Sequence, residues 1–352
     1  MKNCFLLFLS LLLFSCEKDS TNAVTSDPFI RGADMSYLPL IESEGTLYKK
    51  NGVAENALTT LKNAGCNTVR VRLWHNPVNG HSGFNEVKAF ATRIKQNGMK
   101  VWLTVHYSDT WADPGNQQKP LGWQSLPFAQ LKNAVTSYTQ QIITEINPDI
   151  IQIGNEINDG FLWPEGKITS NQTQFLELLQ TAVSAVRSQS TATKIMLHYA
   201  GTQGSDWFFN LTSTIDYDYI GLSYYPIWHG KNLTVLQNTM STLSTTHNKK
   251  IILAETSYPF TLGFNDFTNN VLGLDNQLHP GYPATTTGQK NYLIAIKNLV
   301  KQSQNGIGFC YWGSEWVAFR GTQSTNGSSW ENQALWDFNF NALPALEAFS
   351  AE

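Results

Sequence analysis

The sequence predicts a single (β/α)8 barrel. Short β-rich runs alternate with helix-like stretches from Ile30 onward, the strand runs number eight, and no break in composition divides the 352 residues into two units. Alternation of this kind argues for a parallel sheet with crossover helices. A chain of this length is still within the range of one such barrel. The strand runs fall at 30–34, 68–73, 100–106, 150–156, 194–199, 219–224, 251–255 and 308–312. Helical patterns at 54–64, 86–97, 128–145, 172–188, 233–246 and 289–302 separate them. The connection between the fifth and sixth strands is short, and its helix is the weakest of the set.

The segment ahead of the first strand reads as an address. Lys2 is followed by the apolar run 5–14 and then by Ser15 and Cys16. A charged start, a short apolar stretch and a small residue at the cut make an export signal. The stretch is too short to span a bilayer as a permanent helix. Leu13-Phe14-Ser15-Cys16 resembles a bacterial lipobox. The expectation is therefore a signal over 1–15, lipid on Cys16, a polar tether over 16–28 and a barrel over 29–352. Such a protein would be anchored to the bacterial outer membrane and face the cell surface. Cys66 and Cys310 then remain, each in an apolar strand-like run, and are expected as buried free thiols.

Charged residues are only 14% of the chain and the net charge is −3, with no basic block, which argues against nucleic acid as a partner. The chain is instead rich in aromatics, with 11 Trp, 13 Tyr and 19 Phe. Rings stack on sugar faces and amides pair with hydroxyls, so neutral, hydroxyl-rich ligands suit such a surface. His-Glu-x-x-His, Cys-x-x-Cys, G-x-x-x-x-G-K and G-x-S-x-G do not occur, and the seven histidines lack metal-ligand spacing.

Polar residues gather where the strands end. The second strand carries Arg70 and Arg72 and is followed by Trp74. The third ends at His106, with Asp109 just beyond. The fourth ends at Asn155 and Glu156, the sixth at Tyr224, the seventh at Glu255 and the eighth at Trp312. Barrel interiors are packed with apolar side chains and catalytic sites sit at the C-terminal face, so these groups point to the mouth. Two carboxylates facing each other there are what glycosidic cleavage needs: one protonated to release the leaving oxygen, one ionised to attack the anomeric carbon. Identical groups start near a pKa of about 4.3, so environment must separate them. Glu156, partly desolvated beside Asn155, suits the acid/base. Glu255, within reach of Arg70 and a tyrosine hydroxyl assigned to Tyr224, suits the nucleophile. Asp109, Asp113, Asp159 and Glu315 compete for these roles, and Glu315 is the strongest rival nucleophile.

Eight runs then carry a resemblance: Arg31-Gly-Ala-Asp-Met-Ser36, Asn67-Thr-Val-Arg-Val-Arg-Leu-Trp74, His106-Tyr-Ser-Asp-Thr-Trp-Ala-Asp-Pro-Gly115, Gln152-Ile-Gly-Asn-Glu156, Gly221-Leu-Ser-Tyr-Tyr-Pro226, Glu255-Thr-Ser-Tyr-Pro259, Tyr311-Trp-Gly313 and Ser329-Trp-Glu-Asn-Gln-Ala-Leu335. They are similar to glycoside hydrolase family 53, the arabinogalactan endo-β-1,4-galactanases, from about residue 30 to 340. The resemblance implies a retaining endo-hydrolase of β-1,4-galactan, with Glu156 as acid/base and Glu255 as nucleophile. It places Arg70, His106, Asn155, Tyr224 and Trp312 at the cleavage subsite, and Asp109 at the rim is a further candidate for binding substrate. Trp74, Trp111, Trp163, Trp228 and Trp316 are candidate stacking platforms. It implies no cofactor for catalysis and a polysaccharide substrate; a tethered monomer is the default expectation. Some relatives hold a structural calcium between the loops after strands seven and eight. Here the loop 256–287 offers Asp266, Asn269, Asn270, Asp275 and Asn276, oxygen donors that suit Ca²⁺. Two other readings stay open: a surface glycan-binding lipoprotein without turnover, and a retaining barrel hydrolase of mannan, xylan or β-glucan.

Overall fold

The computed structural model describes residues 29–351; the expected export signal, the expected lipidation site Cys16 and the expected tether lie outside the described residues. The barrel strands are β1 (Ile30–Asp34), β2 (Thr68–Leu73), β3 (Lys100–Val105), β4 (Ile150–Ile153), β5 (Lys194–Ala200), β6 (Tyr219–Ser223), β7 (Lys250–Thr256) and β8 (Gly306–Tyr311). They pair in parallel in chain order, and β1 closes on β8 from Ile30↔Gly308 to Ala33↔Tyr311. Helices α1 (Ala57–Ala64), α2 (Phe84–Gln96), α3 (Phe128–Glu145), α4 (Ile168–Gln189), α5 (Ser205–Leu211), α6 (Leu233–His247) and α7 (Thr286–Gln302) form the outer ring. The connection between β5 and β6 does hold a helix, the seven-residue α5. The ring ends in a 3-10 segment, Pro344–Phe349, whose Ala345, Leu346, Ala348 and Phe349 are buried.

Local chemistry explains the elements. Asn56 caps α1 by accepting from the Leu58 and Thr59 amides, and Gly65 ends it with φ +104°. In β2 all six residues are buried, with Val69 and Val71 in the main core beneath the helices. Successive side chains alternate across a strand, and the opposite face fills the barrel. Ile30, Trp102, Ile150, Met196, Tyr219, Ile252 and Cys310 form a separate apolar cluster there. A side chain at Gly308 would put its Cβ 2.4 Å from the Ile30 Cβ, so the closing strand needs glycine at that point.

Strands three, four and eight stop at Val105, Ile153 and Tyr311, short of His106, Glu156 and Trp312. Tyr107, Gly154 and Glu156 have positive φ (50°, 74° and 48°), so the chain leaves the ladder as it reaches the rim. Cys66 and Cys310 are both free and buried, and burial pushes the Cys66 thiol up to about 12. Among the described residues no helix is long and apolar enough to cross a membrane.

Candidate active site

The mouth of the barrel opens into a cleft of about 550 Å³, lined by Asp34, Arg70, His106, Asn155, Glu156, Tyr225, Glu255 and a set of tryptophans. Strand parity places most of these. Asp34 shares its face with Ile30, and His106 shares its face with Trp102. The same alternation puts Tyr225 on the inner face with Tyr219 and Ser223. Glu255 is out of step with inward Ile252 and Ala254. The pairing explains it: Leu222↔Leu253 is followed by Ser223↔Glu255, so β7 carries one extra residue, a bulge that turns Glu255 inward.

Arg70 organises the floor and is buried. Its Nη1 donates to Asp34 Oδ2 at 2.7 Å; its Nη2 donates to Glu255 Oε1 at 2.6 Å and Asn155 Oδ1 at 2.9 Å. Burial alone would lower the Arg70 pKa, but the Glu255 and Asp34 carboxylates more than offset it, so the guanidinium stays charged. Glu255 Oε2 accepts from the Tyr225 hydroxyl at 2.9 Å. Burial pushes Glu255 upward while Arg70 opposes it. Glu156 has no such cation bonded to it. Its Oε1 accepts from Ser223 Oγ at 2.6 Å, and burial, with the Glu255 charge next, pushes it up to about 8. Of the two acids, Glu156 is the one that holds its proton. One oxygen of Glu156 and one of Glu255 lie within 4.8 Å of each other. That is near the spacing of about 5 to 5.5 Å of a retaining pair and well short of the roughly 6.5 to 9.5 Å of an inverting one.

Several expected residues stand elsewhere. Tyr224 faces outward, and its hydroxyl donates to the Gly230 carbonyl at 2.6 Å; its neighbour Tyr225 holds Glu255. Asp109 is a loop brace: its oxygens accept from the amides of Asn76 and Leu121 at 2.9 and 2.8 Å. Trp74 sits behind the cleft wall, where it, Tyr37 and Trp111 surround the Arg72 guanidinium at 4.3, 4.4 and 4.2 Å from the ring centres. Trp163 donates to the Asp159 carbonyl at 2.9 Å and lies outside the lining. Glu315 is fully buried, accepts from the Tyr37 amide at 2.6 Å and does not reach the cleft. Asp159 caps Thr169, and Asp113 makes the turn with Gly115 while touching the rim. His106 lines the cleft, and its Nδ1 accepts from the Ala112 amide at 3.0 Å. Burial, then Arg72 and Arg70, keep it neutral.

Trp111, Trp228, Trp312, Trp316 and Trp330 are the rings in the wall. Trp312 meets Trp330 edge-on at 4.7 Å, and Trp330 stacks beside Trp228 at 6.3 Å. Trp228 is 55% exposed, leaving its face available to a sugar. Asp34 and Trp330 lie in runs that carry the resemblance, but neither has a role assigned from sequence. Asp34 could have been found from the parity of β1, whereas Trp330 lies in a long irregular loop with no periodicity to read. Of the five oxygen donors in the loop after β7, Asn269, Asp275 and Asn276 are exposed. Asp266 is buried and accepts from the amides of Thr268 and Ser328.

The family model described as glycosyl hydrolase family 53 matches residues 30–349. The arabinogalactan endo-β-1,4-galactanase of Cellvibrio japonicus is 36% identical over 95% of this chain and 93% of its own length. An endo-β-1,4-galactanase of Bacillus subtilis is 31% identical over 91% and 85%. The family 53 catalytic domain from Ignisphaera aggregans superposes with a TM-score of 0.86 at 36% identity, covering 92% of this chain and 96% of that one. With its closed parallel barrel, its paired glutamates and a match that runs the length of the described fold, the chain belongs to glycosyl hydrolase family 53.

Proposed function

We propose that this protein is a retaining endo-β-1,4-galactanase, cleaving internal galactosidic bonds of galactan and type I arabinogalactan for the breakdown of pectic side chains. The observation that carries it is the glutamate pair within 4.8 Å across a tryptophan-walled cleft, in a chain of this family. Glu255 attacks the anomeric carbon and Glu156 protonates the departing oxygen. Water then hydrolyses the galactosyl-enzyme with Glu156 acting as base. Asn155, anchored by Arg70, is set to bond the sugar 2-hydroxyl, and Trp312 to floor the cleavage subsite. Product sizing on linear β-1,4-galactan tests the reading, with mannan, xylan and β-glucan beside it. Shorter oligomers from galactan alone are expected. Retention on galactan without shortening would mean a binding protein, and cleavage of another glycan would reassign the substrate.

Glu156→Ala should lose about 10²–10⁴-fold on galactan yet keep its first step on an aryl galactoside with a good leaving group. An equal loss on both would remove Glu156 from the acid role. Because the acid works protonated and is held up to about 8, kcat/KM on galactan should fall as pH rises through that region.

Two further parts of the reading concern the chain beyond its chemistry. A structural Ca²⁺ fits best beside Asp266, Asn270 and Glu331. Glu331 is fully buried and pushed up to about 7 by burial and by Asp266, and its Oε2 and Asn270 Oδ1 lack partners. A cation would relieve that arrangement, so a chelator should lower the melting temperature. An unchanged melt with and without added Ca²⁺ would remove the ion. Export with lipid on Cys16 would tether a monomer to the outer membrane at the cell surface. Cys16→Ser should then release the protein from the membrane fraction, and unaltered fractionation would refute the anchor.

A further inference from the structure

Behind Glu156 a chain of side chains runs along the inner face of the barrel from β4 to β5 to β6. His198 on β5 is fully buried. Its Nδ1 lies 2.9 Å from Gln152 Nε2 and 3.3 Å from the backbone nitrogen of Glu156, and its Nε2 lies 2.9 Å from Ser223 Oγ. Ser223, also fully buried, reaches Glu156 Oε1 at 2.6 Å.

Donor and acceptor roles along this chain can be assigned one by one. The Gln152 amide is oriented by its oxygen, which accepts from Trp102 Nε1 and Thr104 Oγ1, so its NH2 points the other way and shares two hydrogens among the Gly154 carbonyl, Asn155 Oδ1 and His198 Nδ1. The Glu156 backbone N–H can only donate, so His198 Nδ1, which also faces the Gln152 NH2, is an acceptor. Burial, with Arg70, His106 and His229 adding to it, holds the imidazole well below its ordinary pKa, so the ring is neutral and carries one proton. That proton is on Nε2 and is donated to Ser223 Oγ. The serine hydroxyl in turn donates to Glu156 Oε1.

We propose that His198 and Ser223 are positioning residues that engage Glu156 Oε1 as an acceptor, so that the proton used in catalysis sits on Oε2. The proposal rests on Glu156 being the acid/base. In the first step the Oε2 proton passes to the glycosidic oxygen as its bond to the anomeric carbon breaks and Glu255 bonds that carbon. In the second step the attacking water returns a proton to Oε2 as its oxygen takes the place of Glu255. Through both steps the Ser223 bond to Oε1 persists, stabilising the carboxylate between them. The left-handed backbone at Glu156 (φ +48°) brings its own amide against His198 Nδ1, which ties the strained residue to the same relay.

The groups facing Glu156 are Glu255 from β7, Arg70 from β2, Asp113 from the loop after β3, Tyr225 and Ser223 from the β6 end, and His198 from β5. Asp34 and Cys310, from β1 and β8, act on Glu255 and Arg70. Among the groups bonded to the Glu156 carboxylate, Ser223 is the one that favours its ionised form. Removing the hydroxyl therefore raises the acid further.

The test is Ser223→Ala, with Ser223→Thr restoring the hydroxyl, His198→Asn shortening the relay, and Glu156→Ala in parallel. For Ser223→Ala, kcat on galactan should fall about tenfold or more, the scale of one bond to a charged group, while an aryl galactoside with a good leaving group changes far less. The alkaline limb of kcat/KM on galactan should move to higher pH, and Ser223→Thr should return both readouts toward the parent. His198→Asn should act in the same direction. Equal losses on both substrates with an unmoved limb would show a merely structural role, and unchanged kinetics would show none; either overturns the relay. If Glu156→Ala itself fails to separate the two substrates, the acid assignment has failed rather than the relay alone.

Discussion

Glu255→Ala should abolish galactan cleavage, by about 10⁴-fold or more, equivalent to ~5 kcal/mol of barrier. The carboxylate has both oxygens engaged, one by Arg70 at 2.6 Å and one by Tyr225 at 2.9 Å, which leaves its orientation little freedom. The spacing to Glu156 leaves too little room for a water to act as the first nucleophile. The alanine variant should fold and still bind galactan. Azide should restore turnover of an activated aryl galactoside, because a small anion can occupy the vacated space, and the galactosyl azide should carry the α configuration. Glu315→Gln, in contrast, should stay active, since Glu315 is sealed beneath Tyr37. A dead Glu315 variant beside a live Glu255→Ala would reverse the assignment.

Arg70→Met should be the most damaging single change to stability among the cleft residues. It leaves the Asp34 and Glu255 carboxylates buried without the cation between them, and breaking a buried pair costs about 3–5 kcal/mol. Part of that loss is cushioned by Ser36, which bonds Asp34, and by Tyr225. Whatever protein remains folded should show a second effect. Arg70 opposes the upward push of burial on Glu255, so without it the nucleophile ionises only at higher pH and the acidic limb of kcat/KM moves up. Arg70→Lys should recover stability better than activity, since an ammonium keeps the charge but cannot reproduce the planar fork that reaches Asp34, Asn155 and Glu255 together. An Arg70→Met enzyme melting with the parent and keeping its pH profile would refute this account.

The barrel was legible because its determinants are local. Runs rich in branched residues at 68–73, 150–153 and 251–253, spaced by amphipathic helices, permit few arrangements other than a parallel sheet wrapped on itself. The paired glutamates were legible for a related reason: ionisable residues directly after such runs have nowhere to go but the mouth. Parity, read carefully along β6, would also have chosen Tyr225 over Tyr224, because inward Tyr219 and Ser223 share its phase.

Other features depend on contacts between distant segments. Glu255 points inward only through the extra residue in β7, which shows in the pairing with β6 and β8 and not in the β7 sequence. Glu156 reaches the cleft through a left-handed backbone held by His198, from the next strand. Trp74 and Trp111 are neighbouring rings, yet one packs against Arg72 behind the wall and the other also lines the cleft. Residue type and spacing along the chain decide which elements form and which end of the barrel carries the chemistry. Which of two adjacent tyrosines, or of several buried carboxylates, faces the substrate is decided by how neighbouring strands shift in register, because a displacement of one residue exchanges the two faces.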